Sequence, residues 1–136
     1  MVNLSDWKEF NDEKSHFSKI PIESFAAKGK WADQFIESRY KDLKINQLRN
    51  FFGELQLIQS DPTLFKPENK TMFGDKKAML EMNLAYDFGR NVITKEFYDL
   101  ITESLKKVQQ EDDFDKFVVF IKSLIAYHKY YEKMNK

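Results

Sequence analysis

The chain has 136 residues, no cysteine, 22 basic and 22 acidic side chains, and an aromatic set of 13 Phe, 6 Tyr and 2 Trp. That length suits one domain with one real core, and the lack of cysteine excludes disulfides, thiolate zinc sites and thiol nucleophiles. A formal net charge of zero excludes the simplest nucleic-acid signature, an overall basic protein, but leaves room for a local basic face.

Residues 1–29 are polar and weakly periodic, punctuated by Pro21 and Gly29. They predict an irregular or loosely helical lead-in to a helical bundle over residues 30–136. The lead-in carries charge within its first six residues and no apolar stretch of signal-peptide length. The longest apolar run of the chain is Phe117–Ile121, far short of the roughly 20 residues of a spanning helix. A soluble, cytoplasmic protein without membrane contact is the expectation.

From residue 30 onward the periodicity is helical. A first helix is predicted over Lys30–Tyr40, with Trp31, Phe35 and Ile36 on one face. A second covers Ile45–Gln59, where Ile45, Leu48, Phe51, Phe52, Leu55 and Ile58 form an apolar stripe. Asn46 is a candidate cap, and Asp61-Pro62 ends the helix. A long loop follows to Gly74. A third helix is predicted over Asp75–Gly89, with Gly89 as its C-terminal cap. A fourth covers Thr94–Gln109. Asp112 or Asp113 caps a fifth over Phe114–Met134. No alternating run or hairpin dipeptide announces a strand. The expected fold is all-α, a single-domain bundle of about five helices.

The catalytic inventory is thin. Glu13 and His16 have Glu-x-x-His spacing, but a di-iron bundle needs that pair twice, and the residue three before His128 is Ile125. Asp112, Asp113 and Asp115 read more simply as a helix cap with solvated neighbours than as a magnesium site. There is no nucleophile elbow and no phosphate loop. No cofactor, no metal and no enzymatic activity are expected.

The neutral total hides segregated charge. Residues 28–53 carry six basic and three acidic side chains, residues 99–115 two and six, and residues 116–136 five and one. Lys122, Lys129 and Lys133 share one side of the last predicted helix. Lys44 and Arg49 sit around the start of the second. Lys76 and Lys77 open the third, and Arg90 follows its end. A basic face of this kind binds a phosphate backbone without reading sequence. Blocks of opposite sign also suit head-to-tail packing of identical subunits. Tyr127, His128, Tyr130 and Tyr131 near the chain end read as core or subunit interface.

Three segments, in order, carry a resemblance. Leu43-Lys-Ile-Asn-Gln-Leu-Arg-Asn-Phe-Phe52, Leu84-Ala-Tyr-Asp-Phe-Gly-Arg90 and the closing helix Phe117–Tyr131 resemble segments of the small-subunit family of type III-A CRISPR effector (Csm) complexes. The likeness covers about residues 31–136. It implies a non-catalytic subunit that stacks head to tail with copies of itself beside the other type III effector subunits. It also implies a grip on the guide RNA and target RNA through phosphates and sugars, since base pairing reads the sequence. Gln47, Arg49 and Arg90 match the family's polar and basic positions, and Lys122 and Lys129 lie in the matching last helix. With Lys44, and more weakly Lys76 and Lys77, these are the expected RNA contacts. Lys44 and Ile45 stand where the family usually has hydroxyl residues. Glu81 and Asn83 stand where relatives often carry basic ones. A cation such as Arg90 near a helix end also serves the terminal carbonyls. The alternatives are a helical protein-interaction scaffold without RNA contact, and the small subunit of the related type III-B (Cmr) complex.

Overall fold

The computed structural model describes residues 1–135. Its helices are α1 (Lys8–Asp12), α2 (Glu23–Ala26), α3 (Trp31–Glu37), α4 (Ile45–Gln59), α5 (Lys70–Gly89), α6 (Lys95–Leu105) and α7 (Glu111–Met134), with short 3-10 turns between them. Four of the seven are longer than two turns, and no strand forms among the described residues. The fold is all-α and built around one core.

Helix α7 is the axis of that core. Phe114, Phe117, Phe120, Ile121 and Leu124 are fully buried along it. Helix α4 lies antiparallel to it. Its first turn is fixed where His128 Nε2 meets the Leu43 carbonyl, and its last where Gln59 Nε2 donates to Asp115 Oδ1 at 2.9 Å. Between these ends Phe51 packs edge-on against Phe117, with centroids 6.3 Å apart.

Residues 1–29 fold as short helical turns whose apolar side chains enter the core. Trp7, Phe10, Phe17, Ile20 and Phe25 are all buried. Trp7 stacks between Phe10 and Trp31, at 4.9 and 4.8 Å, and tilts against Phe120 at 5.2 Å. Aromatic pairs of this geometry add roughly 0.5–1.5 kcal/mol each beyond area burial. The segment is clasped to α7 by polar side chains as well. Lys116 Nζ donates to the Ser18 and Ile20 carbonyls at 2.6 and 2.8 Å. Asp113, fully buried, accepts from His16 Nδ1 and from the Ser18, Gln109 and Gln110 amides at 2.9–3.2 Å.

The helix ends differ from the sequence reading for local reasons. Helix α4 spans the predicted residues, but Lys44, not Asn46, stands at its cap position, without a side-chain capping bond. Helix α5 starts five residues earlier than expected. Phe73 is buried against Phe65 and Phe114, at 5.0 and 6.0 Å, and that packing carries the helix through Gly74. The expected long loop is two 3-10 turns, Pro62–Phe65 and Pro67–Asn69, the first capped by Asp61. Gly89 stays helical, and Asn91 takes the left-handed conformation at φ 63°. Helix α6 stops at Leu105, short of Gln109, because Val108 turns inward and is fully buried. At the start of α7 the cap position belongs to Gln110, and Asp113 serves it from the third helical position.

Candidate nucleic-acid interface

The antiparallel pairing of α4 and α7 sets one groove. On α4, Arg49, Phe52, Gln56 and Gln59 recur at 3-4-3 spacing and share a flank. On α7, Asp115, Lys122 and Lys129 recur every seven residues, with Lys133 one turn further. The Gln59–Asp115 hydrogen bond joins the two stripes at one end. The two stripes therefore face the same groove. Antiparallel register places Arg49 at the level of the turn between Lys122 and Lys129. Lys44 lies at the far end, one residue from the carbonyl that His128 holds. Lys44, Arg49, Lys122, Lys129 and Lys133 are all exposed. None of them forms an ion pair among the described residues.

The other expected contacts lie elsewhere. Gln47 is on the opposite flank of α4, half-buried in a cleft toward α5 that Glu54 and Asp87 also line. Burial, with Asp87 nearby, pushes the Glu54 carboxyl above its ordinary value. That cleft is acidic and narrow, a poor place for phosphate. Lys77 is engaged within the fold, where its Nζ donates to the Val108 carbonyl at 2.8 Å. Burial holds its pKa below the usual lysine value. Lys76 is exposed on α5 and Arg90 just past its end, apart from the α4/α7 groove. The Arg90 guanidinium lies over the Tyr86 ring at 4.9 Å rather than on helix carbonyls.

Several cations outside the expected set are also structural. Lys28 pairs with the buried Asp33 at 2.7 Å, and the Asp33 side chain raises its pKa well above the ordinary value. Lys107 donates to the Glu13 carbonyl and lies over the Phe10 ring at 4.3 Å. Arg39 donates to the Phe35 carbonyl at 3.2 Å and Asn3 Oδ1 at 3.0 Å. The cations along the α4/α7 groove carry no such tether among the described residues. His16 is absorbed by Asp113, and no three side chains of metal-binding type converge among the described residues.

Sequence reading missed one neighbouring feature. An open cleft of about 610 Å³ at the end of the bundle is lined by Tyr40, Lys41, Tyr130 and Tyr131 among others. Lys41 sits in the turn before α4, and its place beside the last helix depends on the fold. Among the aromatics of α7, His128 and Tyr131 are buried. Tyr127 is half-buried and bonds the Ala26 carbonyl at 2.7 Å, and Tyr130 stays exposed at the cleft.

A small all-α protein with a groove lined by exposed cations defines the class of helical-bundle subunits. The family model for Csm2 of type III-A matches residues 23–134, most of the chain. The chain therefore belongs to the Csm2 family and is a small subunit of a multi-subunit type III-A Csm complex. Searches of curated proteins and of solved structures return no match. No helix among the described residues is long and apolar enough to cross a membrane.

Proposed function

We propose that the protein acts in the cytoplasm, as a non-catalytic clamp on RNA inside its Csm complex. It grips the guide RNA–target RNA duplex or the target strand by phosphates, without reading sequence, and stacks head to tail with copies of itself. The observation that supports this reading is the α4/α7 groove, where Lys44, Arg49, Lys122 and Lys129 gather free of ion pairs. Base pairing supplies the specificity, so a protein surface that recognises charge and shape suffices. The segregation along the chain of the acidic 99–115 segment from the basic 116–136 segment supports unlike contacts between stacked neighbours.

A filter-binding titration of the free chain at two salt concentrations tests the RNA contact. Four phosphate neutralisations on a single strand give a salt slope near −2.8, so affinity falls about 50-fold from 50 to 200 mM salt. Arg49→Ala with Lys122→Ala removes two of the four and brings that drop to about sevenfold. Melting should stay within about 0.5 kcal/mol of the parent, because both side chains are exposed. An unchanged slope in the double variant would refute the groove. Assembly lost with RNA binding intact would instead favour a pure scaffold.

A further inference from the structure

Helix α5 has two apolar faces and buries only one. Phe73, Leu80 and Leu84 face the core. On the other side Met72, Met79, Met82 and Tyr86 are 51%, 52%, 60% and 62% exposed. Scattered exposed methionines would need no account, but these do not scatter. Met72, Asp75, Met79, Met82, Tyr86 and Gly89 follow one another at 3-4-3-4-3 spacing. That is the spacing of a coiled-coil seam, with four of its six positions Met or Tyr, on the solvent side of a 20-residue helix. A seam needs a second helix with the same period.

We propose that the partner is a second copy of this chain, bound through an antiparallel α5–α5 contact. The charges on the seam choose the orientation. A parallel pair would set Asp75 against Asp75 and Tyr86 against Tyr86, burying two like carboxylates together. An antiparallel pair puts Met79 over the second copy's Met82, and Met82 over its Met79, at the centre. Outside these, Tyr86 faces the second copy's Asp75, and Met72 packs over its Gly89. The Tyr86 hydroxyl is then a donor to that carboxylate. Arg90, held over the Tyr86 ring, is one helical turn away and supplies the opposite charge. Asp75 has no ion pair within its own chain among the described residues, so it is free to take both. Ala78 and Ala85 flank the seam and let the two backbones approach closely. The contact is isologous, and it lies across the acidic cleft from the α4/α7 groove.

One helix pair is a small interface, so the dissociation constant is on the order of 10 µM. Sedimentation velocity on the full chain from 1 to 200 µM should show a monomer–dimer equilibrium. Met79→Glu with Met82→Glu should abolish it while leaving the thermal melt at 1 µM, where the parent is monomeric, unchanged, since both side chains are mostly exposed. The chain has no cysteine, so crosslinking reports the register directly. An oxidised mixture of Met79→Cys and Met82→Cys chains should link about tenfold faster than either alone, because only the mixed pair brings two sulfurs opposite each other. A monomer throughout, a dimer that survives the double Glu change, or Met79→Cys linking to itself as fast as in the mixture would each overturn the seam. Salt-sensitive RNA binding is measured on the same monomeric double-Glu variant. It persists whether or not the dimer exists, so the two readings fail separately.

Discussion

Asp113 is the side chain on which the largest single polar effect should turn. Its carboxylate is fully buried and takes the His16 ring N–H and the Ser18, Gln109 and Gln110 amides. Those contacts join the first twenty residues to the start of α7. Hydrogen bonds to a charged acceptor contribute about 1.5–3 kcal/mol each. Burying the carboxylate offsets several kcal/mol of that total. Asp113→Ala removes both sides of the balance and leaves four donors. Those of His16, Gln109 and Gln110 lie on residues that reach solvent and rehydrate in part. The net loss should be about 3 kcal/mol. For a chain of this length that lowers Tm by roughly 12 °C. Chemical denaturation followed by circular dichroism measures it, and Lys19→Ala, an exposed neighbour without a side-chain partner, is the control at under about 0.5 kcal/mol. Burial pushes the Asp113 pKa up, but the His16 side chain and the Ser18 and Gln109 contacts outweigh it and hold the value below the usual carboxylate range. The folded-state pKa is therefore depressed. Its stabilisation is present above about pH 4 and fades as pH falls through the lower folded value. The acid limb of the stability profile should flatten in Asp113→Ala. A loss below about 1 kcal/mol, or an acid limb parallel to the parent's, would refute the clasp.

Two further outcomes test the packing. Trp7→Ala should cost about 3–5 kcal/mol, measured by urea melting, because the indole is buried among Phe10, Trp31 and Phe120. A cost near zero would refute a core shared between residues 1–29 and α7. In a spectrophotometric titration of the six tyrosines, Tyr131 should ionise last. Burial, with the Asp33 carboxylate that accepts its hydroxyl, pushes it up to about 12. Tyr131→Phe should remove that late step and leave the earlier ones.

The main helices were legible because each pays its period to one core face. The stripe from Ile45 to Ile58 set α4 at both ends. The capping details were less legible, since Lys44 and Gln110 occupy cap positions that their side-chain chemistry does not advertise. The packing of residues 1–29 was hidden for a different reason. The apolar residues, Trp7, Phe10, Phe17, Ile20 and Phe25, lie on separate short turns, so no single period gathers them. Long-range packing on Phe117 and Phe120 does.

The charged residues divide in the same way. Local sequence places Lys122 and Lys129 on one side of a helix, because seven residues are nearly two full turns. No local signal separates Lys77 from Lys76, yet one is tied to Val108 and the other is open to solvent. Nor does any local signal put Arg49 beside α7 and Gln47 across α4 from it. By itself the sequence determined the helices, the aromatic core material and the family. Only the tertiary structure decided which cations are spent on carbonyls and which remain free. Helix periodicity is a short-range property of the chain, whereas a lysine's partner is set by whichever distant backbone the fold brings within reach.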